Sequence, residues 1–189
     1  MTSLFHEANA AYNNNNPELA LKLMENAARE GDPSACYMIA LWYSGADGMP
    51  LDKTRSKQWL ARLEQLAEGG DLVAQWQLVS CYRFGDLLPQ NNERANYWLE
   101  RAADAGYGDA QHHLGWYYEH GLHGYPIDPA EAAKWYQRAF DQEHPETLYF
   151  YATKLFRDGR PTEEAISLLK KAAGKGFKQA EYLLQPYLH

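Results

Sequence analysis

The sequence contains little cysteine and no long apolar run. Cys36 and Cys81 are the two cysteines among 189 residues, too few for a disulfide framework, and they predict a reducing compartment. No stretch approaches the roughly 18 consecutive apolar residues of a membrane-spanning helix, and the first residues lack the basic and apolar regions of a signal peptide. We therefore expect a cytoplasmic protein with no membrane partner.

Positive charge is also scarce, since 18 Lys and Arg residues stand against 25 Asp and Glu residues, for a net charge of −7. An acidic surface repels the phosphate backbone, so we expect no nucleic-acid partner. The exception is the stretch 154–178, where seven basic residues against three acidic ones give a local charge of +4. This C-terminal end is a candidate surface for an acidic partner or for self-association.

Catalytic signatures are missing as well. The chain has no G-x-S-x-G nucleophile elbow, no phosphate-binding loop ending in GK[ST], no dinucleotide-binding glycine pattern and no H-E-x-x-H metal motif. We therefore expect no enzyme, no cofactor and no small-molecule substrate. A metal-dependent or hydrolase-like activity is a lesser alternative, because His113 and His120 stand seven residues apart on one predicted helix.

A repeat is the dominant pattern of the chain. Four glycine-containing stretches, GDPSA, GDLVA, GYGDA and GFKQA, end in alanine, and EHPET fills the one vacant slot. The intervals between their last residues are 39, 36, 37 and 33 residues, a period typical of helical repeat proteins. We call these last residues the landmarks: Ala35, Ala74, Ala110, Thr147 and Ala180.

Capping residues divide the chain into short helices. Asparagine or aspartate stands ahead of four helix-forming runs, as N-cap residues do, and glycine follows four helices as a C-terminal breaker. The N-cap candidates are Asn16, Asp52, Asn91 and Asp128, and the glycines are Gly31, Gly70, Gly106 and Gly176.

Two alternating classes of helix follow from this register. The class that carries the landmarks, the A helices, is predicted near 3–13, 32–44, 71–84, 108–120, 145–157 and 177–188. The other class, the B helices, is predicted near 17–30, 53–68, 91–105, 128–142 and 162–174. The sequence therefore predicts an all-α fold of about eleven helices, a right-handed superhelical α-solenoid of about five helix-turn-helix repeats plus a C-terminal capping helix.

The stretch AQHHLGWYYEHGLHGYPIDPAEAAKWYQRA, residues 110–139, resembles the Sel-1-like repeat, a longer-looped relative of the tetratricopeptide repeat. The likeness lies in the A-QHHL-G-WY-Y pattern, the G-x-x-G-Y-P-I-D loop and the helix AAKWYQRA. It extends over 31–161, whereas 1–30 resembles a tetratricopeptide hairpin and 162–189 forms the last repeat and cap. The resemblance implies one domain over 1–189 that acts as a non-enzymatic adaptor or scaffold for another protein or peptide.

In solenoids of this kind the A helices line a concave groove. Residues two, six and nine positions past each landmark would then face a peptide, helix or loop of the partner. Rings lose little side-chain entropy on binding and dominate interface hot spots, so they are the expected anchors, with Arg83 and Glu119 as polar selectors. The predicted partner-binding residues are Tyr37, Leu41, Trp76, Ser80, Arg83, His112, Trp116, Glu119, Tyr149, Thr153, Phe156 and Tyr182.

Two alternatives stand beside the adaptor. The same rings could pack between A helices as core residues, in which case Trp76→Ala and Trp116→Ala would lower the melting temperature instead of abolishing partner binding. An immunity-type or inhibitor protein, which blocks a cognate toxin or enzyme, would use the same groove.

Overall fold

The computed structural model describes residues 3–157 and 160–187, and eleven α-helices account for most of them. Two short 3-10 turns complete the described helical structure, Ala46–Gly48 between α3 and α4 and Gln185–Tyr187 after α11. The helices are α1 (Leu4–Asn13), α2 (Pro17–Arg29), α3 (Pro33–Tyr43), α4 (Lys53–Glu68), α5 (Leu72–Phe84), α6 (Asn92–Asp104), α7 (Gly108–His120), α8 (Pro129–Asp141), α9 (Pro145–Lys154), α10 (Glu163–Gly174) and α11 (Lys178–Leu184).

The chain forms two compact units, residues 1–102 and 103–189. In the first unit α1 packs against α2, α3 against α4, and α5 against both α3 and α4. In the second unit α7 packs against α8, α9 against α10, and α10 against α11. These consecutive pairs are helical hairpins of the kind that build an α-solenoid, so the all-α prediction is confirmed. None of the helices in the two described ranges is long and apolar enough to cross a membrane.

Side-chain caps start the B helices where the sequence indicates. Asp128 Oδ1 accepts hydrogen bonds from two backbone N–H groups in the first turn of α8, at 2.9 and 3.1 Å. Each such bond satisfies a donor that the helix itself leaves unpaired. Asn16, Asp52 and Asn91 cap α2, α4 and α6 in the same way, and the Thr162 hydroxyl caps α10.

The five landmarks are all fully buried. Four are alanines and the fifth is Thr147, so each of the five A helices after α1 has a small side chain near its N-terminal end. A small residue lets the backbone of the neighbouring helix come close, and close packing is what stabilises the hairpin. The period in the sequence therefore marks the points of closest helix packing.

The turn from each B helix into the next A helix needs a left-handed residue. The predicted glycines supply it in four repeats; Gly176, for example, has φ +83°. The repeat that lacks the glycine uses Glu143 at φ +54°, which costs a residue with a Cβ about 1–2 kcal/mol. Its carboxylate accepts a hydrogen bond from Lys171 Nζ at 2.7 Å, a contact that offsets part of that cost.

The C-terminal region departs from the predicted helix ends. Helix α9 stops at Lys154, and the next residues form an antiparallel strand pair, β1 (Phe156–Arg157) with β2 (Arg160–Pro161). The sequence analysis placed Phe156 on the A helix predicted over 145–157, and this was wrong. Phe156 lies on a strand, because its backbone pairs with Pro161. Helix α11 ends at Leu184 and continues as a 3-10 turn, since Pro186 lacks the N–H that an α-helix needs. Asp158 and Gly159 of the basic stretch 154–178, and Leu188 of the predicted last A helix, lie outside the described residues.

We expect Gly176→Ala to lower the free energy of unfolding by about 1–2 kcal/mol, because a Cβ disfavours a φ of +83°. No atom lies within 4 Å of the position that this Cβ would take, so a clash is not the cause. Gly174→Ala is the matched control, since Gly174 is equally open and ends helix α10; alanine there should be neutral or slightly stabilising. Urea unfolding of both variants measures the difference, and equal stability would contradict the explanation.

Candidate functional site

A surface pocket of about 390 Å³ lies between helices α7 and α9 of the second unit. Its lining side chains recur every three or four residues along each helix, which places them on one face. We call it the α7–α9 pocket. Helix α7 contributes His112, Trp116, Glu119 and His120, helix α8 contributes Tyr136, and helix α9 contributes Glu146, Tyr149, Phe150 and Thr153.

The floor of the pocket depends on a glycine opposite a tyrosine. A Cβ added at Gly115 would lie 2.9 Å from Tyr136 Cδ1, closer than real carbon atoms approach, so only glycine admits the ring here. The Tyr136 ring stacks on Phe150 with centroids 4.4 Å apart. Its hydroxyl donates a hydrogen bond to Glu119 Oε2 at 2.8 Å. Gly115 thus allows a B-helix phenol to reach the face formed by the A helices.

Other repeats fill the contact equivalent to Gly115 and Tyr136 with side chains of different sizes. At the equivalent positions they place alanine or valine opposite leucine. The Gly115–Tyr136 pair therefore exchanges volume from one side of the contact to the other, and it gives this repeat a polar group that a leucine cannot provide. The equivalent pairs are Ala40 with Leu60, Val79 with Leu99, and Ala152 with Leu169.

Glu119 is already held by contacts within the unit. Besides Tyr136, Lys154 Nζ donates to Glu119 Oε1 at 3.2 Å, and the same ammonium lies 4.0 Å from the centroid of the Phe150 ring. Burial by itself would raise the pKa of Glu119, but the hydrogen bonds from Tyr136 and Lys154 together hold it below its ordinary value. The predicted polar selector is thus an ionised carboxylate whose two oxygens both have internal partners.

A chain of hydrogen bonds lies beneath the pocket. His112 Nδ1 is 3.0 Å from the hydroxyl of Thr147, which is also 3.1 Å from His144 Nδ1. His144 Nε2 in turn is 3.0 Å from Asp109 Oδ1. The Thr147 hydroxyl can donate to one imidazole and accept from the other, so a single buried group satisfies both rings. The chain ties the beginning of α9 to α7.

Burial is the main reason that the pKa of His112 falls to about 3, with the neighbouring His113 and His144 lowering it further. His112 is therefore a neutral imidazole near pH 7. The hydrogen bond with His144 holds the pKa of the Asp109 carboxyl below its ordinary value. Glu146 Oε1 lies 3.8 Å from His112 Nε2, so a carboxylate faces an uncharged ring at the mouth of the pocket.

Five of the twelve predicted residues line this one pocket, and whether they bind a partner stays a prediction. Trp116 is 41% exposed at its rim, and His112, Glu119, Tyr149 and Thr153 are the other four. His112 contributes only the edge of a buried imidazole ring, because its Nδ1 atom already bonds to the Thr147 hydroxyl. Tyr182 lies apart from the lining residues, on α11, and is 78% exposed.

The predicted residues of the first unit are less exposed than Trp116. Tyr37, Leu41, Trp76 and Ser80 are all half-buried on α3 and α5, and the Tyr37 hydroxyl donates to Asp86 Oδ2 at 2.9 Å. These side chains stay candidates for partner binding, but they present less ring surface than Trp116 does.

Arg83 departs most from its expected role. Its side chain is buried, and its guanidinium donates to Asn92 Oδ1 at 3.1 Å and to Asn96 Oδ1 at 2.9 Å. A buried guanidinium held by two amides of α6 does not reach a ligand carboxylate at the surface. Arg83 is therefore a residue of the α5–α6 packing and not a polar selector.

The sequence analysis missed four lining residues as partner-binding residues, and it considered one of them, His120, only as a metal ligand. Glu146 precedes a landmark by one position and Phe150 follows the same landmark by three, whereas only offsets of two, six and nine were considered. Tyr136 was missed because it belongs to a B helix, the class expected to face away from the groove. A comparison of the repeats could have found it, since leucine stands at the equivalent positions.

Groups that could support chemistry are few among the described residues. They contain no cluster of three or more potential metal ligands, and His113 and His120 each bond through Nδ1 to a carbonyl four residues earlier, at 2.9 and 3.0 Å. Cys36 and Cys81 are buried, and burial raises the pKa of their thiols to about 11 and about 12. Both are protonated thiols near neutral pH and poor nucleophiles.

Comparison with protein-family models finds Sel1 repeats at residues 14–32, 33–67, 72–107, 108–144 and 145–177. Among solved structures, the chain is similar to a Sel1 repeat protein from Oxalobacter formigenes, with 33% identity and a TM-score of 0.56 over 68% of this chain and 98% of that one. A comparison with curated proteins gave no match.

Two more distant structures share the fold. One is a protective antigen present in uropathogenic Escherichia coli strains that displays an SLR fold, with 24% identity and a TM-score of 0.56; 96% of this chain matches 40% of that one. The other is a sel1 repeat protein from Klebsiella pneumoniae, with 18% identity and a TM-score of 0.50 over 97% of this chain and 90% of that one.

We expect Gly115→Ala to destabilise the protein by about 1–3 kcal/mol, because the added methyl overlaps the Tyr136 ring. The double variant Gly115→Ala/Tyr136→Leu recreates the pair found in two other repeats and should recover most of that loss. Urea unfolding of the two variants and of Tyr136→Leu alone gives the coupling energy. Additive losses would show that the two positions do not compensate each other.

We expect the stability of the protein to fall as the pH is lowered from about 7 to 4.5, in part through His112. The unfolded chain takes up a proton on this ring near its ordinary pKa of 6.5, whereas the folded chain resists protonation down to about pH 3. The loss attributable to His112 by pH 4.5 is at most about 2–3 kcal/mol. His112→Asn, whose amide can still reach Thr147, should show a shallower decline, and His120→Asn, at an exposed position of the same helix, should not. Urea unfolding at several pH values tests this, and identical slopes for wild type and His112→Asn would contradict it.

Proposed function

Because the chain belongs to the Sel1 repeat family, we propose that it is a non-enzymatic adaptor or scaffold that binds a peptide, helix or loop of a protein partner in the α7–α9 pocket. Sel1 repeats generally mediate protein–protein interaction. The observation that carries the proposal is the exposed indole of Trp116 at the rim of a pocket formed by two consecutive A helices.

Trp116 has the properties of an interface anchor. Its ring lies 5.7 Å from the centroid of Tyr117 and 5.5 Å from that of His120, which restrict its orientation. A ring that is already held loses little entropy when a partner covers it, and tryptophan is among the residues most enriched at binding hot spots. Tyr149 and Phe150 extend the aromatic surface on the facing helix, so a partner side chain meets rings from two sides.

The polar groups at the mouth of the pocket favour a hydrogen-bond donor or cation from the partner. The Glu146 carboxylate accepts only, and no lysine or arginine of the described residues forms an ion pair with it. The neutral His112 beside it adds no positive charge. The chain provides an internal precedent, because Lys154 already occupies the equivalent environment between Glu119 and Phe150. An arginine or lysine of the partner could occupy the second such environment, beside Glu146 and Trp116.

Several observations support binding over catalysis. The hydroxyl of Thr147 stands in a chain with His144 and Asp109 that resembles a catalytic relay, but this side chain is 0% exposed and no substrate can reach it. The two thiols are buried and protonated. Neither cysteine forms a disulfide bond, which supports a location in a reducing compartment. We propose that this compartment is the cytoplasm.

We expect Trp116→Ala to weaken partner binding at least about tenfold while the chain folds normally, because the ring is an exposed hot-spot candidate. The partner is captured from a native lysate on the immobilised chain, identified by mass spectrometry, purified, and titrated against each variant by calorimetry. Tyr97→Ala, which removes an exposed ring from a B helix, is the matched control and should bind as wild type does.

Unchanged affinity in Trp116→Ala would remove the α7–α9 pocket from the binding site. A fall of many degrees in its melting temperature would show that the ring serves packing instead. Glu146→Gln gives a second measurement, since it keeps the shape of the side chain and removes its charge; a basic partner should bind it less tightly and with a weaker dependence on salt. If the partner is an enzyme or toxin that loses activity when bound, the chain is an inhibitor and not an adaptor.

A further inference from the structure

Consecutive B helices are joined by an ion pair at three boundaries. In each, a cation near the end of one B helix bonds to an acid at the end of the preceding B helix or, for Glu143, in the turn that follows it. Arg101 Nη1 lies 2.8 Å from Glu68 Oε2, Arg138 Nη1 lies 3.4 Å from Asp104 Oδ1, and Lys171 Nζ lies 2.7 Å from Glu143 Oε1. The recurrence shows that a carboxylate fits the space between neighbouring B helices at this point of the repeat.

The first boundary, between α2 and α4, has the cation but not the acid. Arg62 precedes Arg101 by 39 residues, the same interval that separates the first two landmarks. The residue 39 positions before Glu68 is Arg29, so a second cation stands where the acid belongs. The sequence thus reverses the charge at one position of an otherwise regular pattern.

Neither of these two arginines bridges the helices. Arg29 turns back along α2, where Nη2 donates to Glu25 at 2.7 Å and Nη1 donates to Asn26 at 3.1 Å. Arg62 donates to Gln65 on its own helix at 3.4 Å. Among the described residues, Arg62 forms no ion pair, in contrast to the cations at the other three boundaries.

A surface pocket of about 500 Å³ lies where the bridging ion pair is missing. Three arginines and one glutamate line it, so its local charge is +2 on a chain of net charge −7. Glu25 is already used, since it accepts from Arg29 and Arg55 and from the Tyr43 hydroxyl at 2.7 Å. We call it the α2–α4 pocket, and its lining residues are Glu25, Ala28, Arg29, Arg55, Gln58, Trp59 and Arg62.

We propose that the α2–α4 pocket binds an aspartate or glutamate side chain from an acidic segment of a protein partner, which takes the place of the acid that the other boundaries supply from within. A guanidinium binds a carboxylate through two parallel hydrogen bonds, and Arg62 has this capacity available. The half-buried ring of Trp59 forms an apolar wall for the aliphatic part of the ligand side chain. This surface belongs to the first unit and does not depend on the function proposed for the α7–α9 pocket.

The variant Arg29→Glu provides a sharp test because it fills the site from within. The new carboxylate would stand in the position of Glu68 and pair with Arg62, and its spacing from Glu25 would be that of Glu64 and Glu68 in the next repeat. We therefore expect a melting temperature no lower than that of wild type together with a loss of ligand binding. A substitution that abolishes binding because it unfolds the protein lowers the melting temperature. The melting temperature and the affinity together therefore separate a filled site from a disrupted fold.

The probe is a fluorescein-labelled hexaglutamate peptide, titrated with the full chain and followed by fluorescence anisotropy at low ionic strength. Wild type should bind it saturably, and Arg29→Glu at least about tenfold more weakly. Lys22→Glu is the matched control, because it makes the same change of charge at an exposed position of α2 outside the pocket; it should stay within about twofold of wild type. Arg62→Gln should weaken binding as much as Arg29→Glu does. This second variant keeps the proposal testable even if Arg29→Glu folds poorly.

Four results would overturn the proposal. The first is that wild type does not bind the peptide saturably, and the second is that it binds a hexaglutamine peptide equally well. The third is that Arg29→Glu or Arg62→Gln binds the peptide with the same affinity as wild type. The fourth is that inorganic phosphate displaces the peptide where acetate at matched ionic strength fails. The last result would assign the pocket to phosphate groups. Sedimentation of wild type and Arg29→Glu without peptide adds one check, since a dimer that only wild type forms would assign the pocket to a second copy of the chain.

Discussion

Close packing at the landmarks is the constraint on which the rest of the structure depends. Each of the five A helices after α1 has a fully buried small residue near its start, and a small residue there is what permits the neighbouring helix to approach. The spacing of the helices, the position of each cap and the left-handed turn before each landmark all follow from this requirement. Because the requirement recurs with every repeat, the same backbone arrangement appears five times with different side chains.

The α7–α9 pocket arises where one repeat meets this constraint in an unusual way. Thr147 replaces alanine at the landmark, and its hydroxyl would be a buried polar group without a partner if His112 and His144 did not bond to it. Gly115 in turn makes room for Tyr136, which reaches Glu119. The polar character of the pocket is therefore coupled to the packing beneath it, and substitutions in either one affect the other.

The α2–α4 pocket has a different origin. Its backbone is regular, and what distinguishes it is the sign of one charge, since Arg29 stands where the next repeats have Glu68 and Asp104. A repeat architecture makes such a change visible, because the other boundaries show what normally fills the space. The two pockets lie on different helix classes, and the ligands proposed for them carry opposite charges, a donor or cation at Glu146 and a carboxylate at Arg62. Together they would let the chain distinguish partners by charge as well as by shape.

The sequence by itself determined the number of helices and the N-caps of four B helices, because both are local or periodic properties that residue types reveal. The Asp128 cap needs only the following turn, and a period of small residues indicates repeated packing. Tertiary structure decided which predicted groove residues reach solvent. Arg83 and Trp116 were both predicted to bind a partner from their spacing after a landmark. Arg83 is buried against two asparagines of α6, whereas Trp116 lies at the rim of a pocket. That outcome depends on the side chains that other helices bring to each position, the asparagines of α6 for Arg83 and the α9 residues of the pocket for Trp116. The spacing of residues along the A helices does not contain this information.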